Sequence, residues 1–269
     1  MPAPSQFAFG LDISKYDIRY RASQRPVDFV IQRASYGLRV DERFERLHND
    51  IQSVPIRGAY HYYNTGVNWQ DQAEKFLHVV DGRDYHFLAF DYETYYNNLN
   101  AKSAAEARRI MTFWRAETGL QVLLYCNPNV YETHLRPHGD WMADWPLWIS
   151  QWPSKWWYQN RATGPRLPKG VSQWAFWQYG GDYQHPSGLW SVPGYNEGPA
   201  WGVQARHVDL NVFNGTPEEL RAWAGLTRQT DPEKSIPADP PKSPSPRAQR
   251  LDELARMEGY IETRKRELL

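Results

Sequence analysis

The 269-residue sequence has a single cysteine, no long hydrophobic run and no excess of charge of either sign. One cysteine, Cys126, cannot form an internal disulfide, which excludes a small domain held together by disulfide bonds. No apolar run approaches the roughly 20 residues that span a bilayer, so we expect no membrane insertion. The 31 Lys and Arg residues balance the 31 Asp and Glu residues. This balance disfavours a nucleic-acid-binding protein that works by neutralising phosphates.

Tryptophan and proline divide the chain into three parts. Ten of the 13 Trp residues lie between Trp141 and Trp201, whereas six prolines lie within 228–246. We therefore predict a folded domain over 1–226, followed by a Pro-rich linker over 227–246. Apolar residues at roughly helical spacing predict a short amphipathic helix over 247–269.

Eight short runs predict β-strands, and four patterns between the early runs predict helices. The strands are expected at 7–13, 28–34, 56–62, 86–93, 121–126, 146–151, 173–179 and 206–212. The helices are expected at 41–53, 68–81, 102–117 and about 128–135. Strands that alternate with helices indicate a parallel sheet, and eight of them suggest a closed, TIM-like α/β barrel. The later connections, 152–172 and 180–205, are rich in Pro, Gly and Trp, so we expect an incomplete ring of helices.

Acidic residues end three of the predicted strands and share the face that points into the barrel. Asp91 and Glu93 are two residues apart and therefore lie on one face of a strand. Asp12 and Asp209 fall on the inward faces of the first and last strands. Two close carboxyl groups cannot both ionise cheaply, so one pKa rises and one group can act as a general acid. Because no basic residue is an evident partner, the four acids predict a catalytic site at the C-terminal end of the barrel.

Several other chemistries fit the sequence less well. The eight His residues show no zinc-ligand spacing, although an oxygen-only Mg²⁺ or Ca²⁺ site at the four acids stays open. Gly180, Gly181 and Asp182 lack the Lys and the following helix of a phosphate-binding loop. There is no Gly-x-Ser-x-Gly motif, and Cys126 lies in an apolar run typical of a core residue. We expect neither a cofactor nor a bound metal.

Glycoside hydrolysis fits the four acids best, because it needs a proton donor and stabilisation of an oxocarbenium-like transition state. The chain is rich in aromatic rings, with 13 Trp and 17 Tyr residues. Their flat apolar faces suit both core packing and stacking on sugars. The loop residues predicted to line a sugar-binding groove are Trp156, Trp157, Tyr158, Trp190 and Trp201.

The order and spacing of several short motifs resemble glycoside hydrolase family 25, the lysozymes found in phage endolysins, bacteria and some fungi. The resemblance covers about residues 9–215. The matching motifs are Gly10-Leu11-Asp12-Ile13-Ser14, Asp41 with Phe44, Gly58-Ala59-Tyr60-His61-Tyr62, Asp91-Tyr92-Glu93, Tyr125-Cys126-Asn127, Leu147-Trp148-Ile149-Ser150-Gln151, Trp177-Gln178-Tyr179 and Val208-Asp209-Leu210-Asn211. The chain differs from the usual family pattern at Arg33 and Tyr36, where Lys and an acidic residue are more common.

The resemblance implies a barrel with eight strands and five helices. It also implies hydrolysis of the β-1,4 bond between N-acetylmuramic acid and N-acetylglucosamine in peptidoglycan. By the same resemblance, Glu93 corresponds to the acid/base, Asp91 to the residue that orients the substrate N-acetyl group, and Asp12 and Asp209 to flanking acids. The positions that resemble sugar contacts are Tyr62, Tyr125, Trp148, Trp177 and Gln178.

Two other functions remain open at this point, a chitinase-like barrel glycosidase and a catalytically silent glycan-binding barrel in a virion. The predicted partner is a peptidoglycan glycan strand, with association through the 247–269 helix as a further possibility. Residues 1–6 contain no basic residue, and the apolar run 7–13 is short and interrupted by Asp12. Because this is not the pattern of a signal peptide, we expect a phage or prophage enzyme made in the host cytoplasm, or a secreted enzyme if a leader was removed.

Overall fold

A computed structural model describes residues 7–152, 164–181 and 197–226. The strands are β1 (Phe9–Ile13), β2 (Phe29–Tyr36), β3 (Arg39–Val40), β4 (Ile56–Tyr62), β5 (Phe87–Asp91), β6 (Gln121–Cys126), β7 (Leu147–Ser150), β8 (Phe176–Gly180) and β9 (Asp209–Phe213). The α-helices are α1 (Phe44–Asp50), α2 (Trp69–Val80), α3 (Ala101–Thr118), α4 (Pro128–Val130) and α5 (Pro217–Trp223). A π-helical turn, Tyr131–Leu135, continues α4.

Eight of the strands close into a barrel, which confirms the predicted α/β barrel with five helices. The order around the barrel is β1-β9-β8-β7-β6-β5-β4-β2, and β1 pairs with β2 to close it. The short β3 forms a hairpin with β2 outside this ring. Each of the eight predicted strands is present. Helix α5 was not predicted, although Thr216 and Glu219 form a capping box around Pro217, which is a clear helix-start signal.

The direction of the last strand corrects the expectation of a fully parallel sheet. Strand β9 runs antiparallel to both β1 and β8. Parallel neighbours need a crossover, usually helical, whereas antiparallel neighbours do not. The described part of the connection before β9 holds a 3₁₀ turn, Gly198–Trp201, in place of a crossover helix. As a result Asp209 begins β9, yet lies at the same end of the barrel as Asp12, its cross-strand partner.

The barrel has two hydrophobic cores, one inside its lumen and one between its strands and the surrounding helices. The lumen core contains Ala8, Phe29, Ile31, Ile56, Tyr60, Phe87, Ala89, Leu123, Tyr125, Trp148, Phe176, Phe213 and Leu220. Leu11, Leu88 and Leu210 belong instead to the outer core between the barrel and its helices. This division confirms that inward and outward side chains alternate along β1, β5 and β9 as predicted.

One end of the barrel is closed by helix α5. The Trp223 ring lies 5.4 Å from the Phe87 and Phe176 rings and 5.8 Å from the Phe213 ring, measured between centroids. The acidic residues lie at the opposite end, which is therefore the open mouth of the barrel.

Trp201 does not line a groove, contrary to the prediction. It is buried, its ring stacks 4.7 Å from the Phe9 ring, and the Arg25 guanidinium lies 3.7 Å from its centroid. The other predicted groove residues, Trp156, Trp157, Tyr158 and Trp190, lie outside the described residues.

The chain divides into two units, Met1–Thr227 and Arg228–Leu269. The predicted linker over 227–246 and the predicted helix over 247–269 lie outside the described residues, and they stay predictions.

Candidate active site

The structure brings the four predicted acids to the mouth of the barrel. Asp12 lies near the end of β1, Asp91 is the last residue of β5, and Glu93 follows it by two residues. Asp209 is the first residue of β9. Asp12 and Asp91 are each only 5% exposed, while Glu93 and Asp209 are half-buried. Carboxyl groups from three strands therefore surround one opening.

Asp12 is held by two side-chain amides. Asn211 Nδ2 donates to Asp12 Oδ2 at 2.7 Å, and Gln178 Nε2 donates to the same oxygen at 2.9 Å. Gln178 Nε2 also lies 3.4 Å from Asp209 Oδ2. Since each amide N–H favours a negatively charged acceptor, this arrangement stabilises the ionised form of Asp12.

The two amides are themselves oriented by neighbouring donors. Trp148 Nε1 donates to Asn211 Oδ1 at 2.8 Å. Gln178 Oε1 accepts hydrogen bonds from Tyr125 Oη at 3.0 Å and from Ser150 Oγ at 3.1 Å. With both amide oxygens occupied in this way, both NH₂ groups face the carboxyl groups. We call this set of side chains, Asp12, Tyr125, Trp148, Ser150, Gln178 and Asn211, the amide network.

Asp91 differs from Asp12 in having almost no polar support. It lies between Tyr62 and Tyr125 on the adjacent strands, and its buried Oδ1 has no hydrogen-bond partner among the described residues. Burial raises the pKa of Asp91 well above its usual value, and the charge of Glu93 raises it further. A raised pKa within the pair is thus found for Asp91, and its largest cause is burial. Because the two groups are close, the proton belongs to the pair rather than to one residue.

Arg33 is a basic partner that the sequence analysis missed. Its Nε donates to Asp41 Oδ2 at 2.7 Å, and its positive charge opposes the rise in the pKa of Asp91. Phe29 and Ile31 of the same strand point into the lumen, so the alternation along β2 places Arg33 on the inward face. Applying the parity rule to this strand would have found it. The acids thus have a cation beside them, which corrects the expectation of a site without a basic partner.

A further acid, Asp17, lies beneath the mouth in the 3₁₀ turn that follows β1. Its Oδ2 accepts a hydrogen bond from the Ser14 backbone N–H at 2.7 Å. Burial raises the pKa of Asp17 to about 7, an effect that this hydrogen bond partly opposes. Asp17 is therefore largely protonated in the folded protein below neutral pH.

We expect the Asp17→Asn substitution to flatten the dependence of stability on pH. The folded pKa of about 7 exceeds the ordinary pKa of an aspartate, 3.8, so the folded wild type retains a proton that the unfolded chain loses. Wild-type stability should fall as the pH rises from about 4 to 7, by up to about 4 kcal/mol at 1.4 kcal/mol per pKa unit. Urea unfolding of both proteins at pH 4.5, 6 and 7.5 isolates Asp17 from other groups such as His61. If the free energies of unfolding of the two proteins changed with pH in parallel, the raised pKa would not belong to Asp17.

The predicted sugar-contacting residues fall into two groups. Tyr62, Tyr125, Trp148 and Gln178 all face the lumen or its mouth, where Tyr62 is half-buried and the other three are buried. Trp177 is on the outer face of β8, fully buried, and its Nε1 donates to the Gln151 carbonyl oxygen at 2.8 Å. A ring in this position cannot contact a sugar in the mouth. The prediction for Trp177 is wrong, because its neighbour Gln178 takes the inward position of the strand.

Three exposed tyrosines at the mouth were also missed. Tyr16, Tyr95 and Tyr96 are 69%, 65% and 76% exposed. They lie in the loops that directly follow β1 and β5, the two strands that carry Asp12 and Asp91. Position immediately after an acid-bearing strand is the signal that could have identified them. They provide ring faces at the rim of the opening, where sugars can stack.

Neither a cluster of metal ligands nor a membrane-spanning helix occurs in the described residues. No group of three or more His, Cys, Asp or Glu side chains in these segments could hold a metal ion. In the same segments, no helix has the length and apolar character needed to cross a bilayer.

Barrel enzymes that hydrolyse glycosidic bonds need a close pair of carboxyl groups and ring faces for sugars, and the mouth of this barrel provides both. The comparison with known protein families agrees with the class of barrel enzymes that hydrolyse glycosidic bonds. Residues 11–187 match the model of Glycosyl hydrolases family 25, and the chain belongs to this family. It is therefore a glycoside hydrolase.

Relatives and solved structures extend the comparison. The chain is 29% identical to YegX of Escherichia coli K12 over 236 residues, covering 82% of this chain and 75% of YegX. It is 24% identical to Lysozyme M1 of Streptomyces globisporus over 242 residues, covering 84% and 74%. A bacterial lysozyme from Streptomyces coelicolor has the same fold, with a TM-score of 0.62, 21% identity and coverage of 82% and 98%.

Proposed function

We propose that this protein is a muramidase, which hydrolyses the β-1,4 bond between N-acetylmuramic acid and N-acetylglucosamine in bacterial peptidoglycan. The observation that carries the proposal is the Asp91–Glu93 pair at the open mouth of a family 25 barrel. The similarity to Lysozyme M1 supports peptidoglycan as the substrate. The direct test is the release of new reducing ends from purified cell walls by the isolated protein.

The positions of the carboxyl groups favour a substrate-assisted mechanism. Asp91 and Glu93 project from one strand end, so neither lies across the sugar ring from the other. In this mechanism the carbonyl oxygen of the 2-acetamido group attacks the anomeric carbon, while the Glu93 carboxylic acid donates its proton to the departing glycosidic oxygen. Water then attacks the cyclic intermediate and gives a proton to the Glu93 carboxylate, which regenerates the acid. Two inversions at the anomeric carbon give net retention.

Asp91 provides the support that this mechanism needs. Its buried Oδ1, which no described residue satisfies, is an acceptor for the N–H of the acetamido group. A hydrogen bond donated to Asp91 favours its ionised form. Since the pair shares its proton, the proton then resides on Glu93, where it is needed for the leaving oxygen. Asp12, ionised within the amide network, and Asp209 add negative charge that stabilises the positive charge developing on the sugar.

The stereochemistry gives a test of this mechanism. From a β-linked glycan we expect the β-anomer to appear first, followed by slow mutarotation, because retention preserves the configuration at the anomeric carbon. Proton NMR during the first minutes of the reaction distinguishes the two anomers. Prompt appearance of the α-anomer would contradict substrate assistance, as would efficient cleavage of a glycan from which the acetyl groups have been removed.

The biological setting is also part of the proposal. We propose a phage or prophage enzyme that acts on the host cell wall, with association through residues 247–269. The family relationship supports only the wall-degrading part of this setting. Sizing of the full chain against a chain ending at Leu226 tests the association.

A further inference from the structure

The guanidinium of Arg33 is anchored on one side and unpaired on the other. Its Nε donates to Asp41 Oδ2, and its side chain is 13% exposed. Neither of its two Nη groups has a hydrogen-bond acceptor among the described residues. Neither Nη atom is among the fully buried polar atoms that lack a partner, so both are open to solvent and can donate hydrogen bonds to a ligand. The two Nη groups form a planar fork that suits a carboxylate or a carbonyl oxygen.

Asp41 cannot release Arg33 easily, because the backbone also fixes its carboxylate. The Lys15 N–H donates to Asp41 Oδ2 at 3.1 Å, and the Arg43 N–H donates to Asp41 Oδ1 at 3.0 Å. The Asp41 side chain is fully buried. The Arg33 guanidinium also lies over the Tyr16 ring, 5.3 Å from its centroid. The fork is thus held in one orientation before any ligand binds, which reduces the entropy lost on binding.

Arg33 and Asp91 lie on nearby strands of the barrel. β2 and β5 are separated by β4 alone, so the two strands run roughly 10 Å apart at about 4.8 Å per strand, and the Arg33 charge acts on the Asp91 carboxyl group. If Asp91 receives the acetamido group on C2 of the sugar, the substituent on the neighbouring C3 extends toward one side of it. In N-acetylmuramic acid that substituent is a lactyl ether, which ends in a carboxyl group or in its amide to the stem peptide. In N-acetylglucosamine it is a hydroxyl group.

We propose that the Arg33 fork binds the lactyl carboxyl or carbonyl oxygen of the muramic acid residue, and that it selects this sugar over N-acetylglucosamine. Arg33 is thereby a specificity-determining residue. The inference rests on the proposed muramidase function and deepens it. It also gives a role to the ion pair with Asp41, which orients a binding group at the edge of the catalytic site.

The test combines enzyme variants with matched ligands. In the Glu93→Gln background, calorimetry measures binding of a muramic-acid-containing tetrasaccharide with free lactyl carboxylates, and of the same tetrasaccharide with each carboxyl reduced to the alcohol. Arg33→Lys keeps a charge beside Asp41 but removes the fork. The double variant Arg33→Gln/Asp41→Asn removes both charges together, so it leaves no unpaired buried carboxylate.

We expect both variants to bind the carboxylate ligand roughly 10-fold to 100-fold more weakly, as for a lost charge-assisted fork. Binding of the alcohol ligand should change by less than about 3-fold, because residue 33 and the alcohol group are then not coupled to each other. Equal losses for the two ligands, or no loss for either, would overturn the proposal, since a merely structural Arg33 does not distinguish them. If the unmodified enzyme cleaves no muramic acid linkage, the proposed function fails, while the binding difference still decides the role of Arg33.

Discussion

Glu93→Gln should abolish lysis of cell walls while leaving the fold intact. Glutamine retains the volume and hydrogen-bonding edge of glutamate but cannot donate a proton to the glycosidic oxygen. The loss of a general acid typically lowers the rate by about 100-fold to 10,000-fold. Glu93 is half-buried in the loop after β5, so its replacement removes no core contact. The decrease in turbidity of a cell-wall suspension measures the rate.

Glu74→Gln is a matched control for this substitution. Glu74 is exposed on α2, and the same chemical change there should alter neither the lysis rate nor the melting temperature. If the Glu93 variant cleared cell walls at a rate near that of the wild type, Glu93 would not be the acid. A lowered melting temperature in that variant would instead assign its loss of activity to the fold.

Asn211→Asp should destabilise the barrel strongly at neutral pH. The substitution replaces the N–H donor that lies 2.7 Å from Asp12 Oδ2 by a carboxylate oxygen, at a position that is fully buried. Breaking a buried charge interaction in this way typically costs about 3 to 5 kcal/mol. The loss should shrink as the pH falls, because protonation of one carboxyl restores a hydrogen bond between the two. Urea unfolding at pH 4.5 and 7.5 measures both effects.

The same change at Asn98, which is exposed, provides the comparison for Asn211. Asn98→Asp adds one negative charge at a surface position, where we expect a change within about 0.5 kcal/mol. Should Asn211→Asp remain as stable as the wild type at pH 7.5, the amide network would not hold an ionised Asp12. Activity of the surviving folded Asn211 variant should also be low, because Asp12 would be displaced or protonated.

The alternation of side chains along single strands made much of the site predictable. Asp12, Asp91 and Asp209 were placed in the lumen because small or polar residues alternate with large apolar ones on β1, β5 and β9. The spacing of strands and helices likewise predicted the closed barrel. These inferences succeed because they depend on short-range geometry, with a period of two residues in a strand.

Properties that depend on long-range pairing could not be derived in the same way. The direction of β9 is determined by how the chain returns across the barrel, and no local pattern around Asp209 records it. Trp177 and Gln178 are adjacent, and only the register of β8 decides which of them faces inward. Alternation along β2 already places Arg33 on the inward face, but its ion pair with Asp41 depends on the β2–β3 hairpin and the loop that follows it, so the anchoring of the guanidinium is evident only in the folded structure.

The identity of the new reducing ends tests the central claim most directly. Purified peptidoglycan is digested with the full-length protein, the products are reduced with borohydride, and mass spectrometry identifies the sugar that carries the reduced end. A muramidase that uses Glu93 as its acid gives reduced N-acetylmuramic acid with the wild type and none with Glu93→Gln. Reduced N-acetylglucosamine as the product of the wild type, or equal cleavage by the two proteins, would contradict the account.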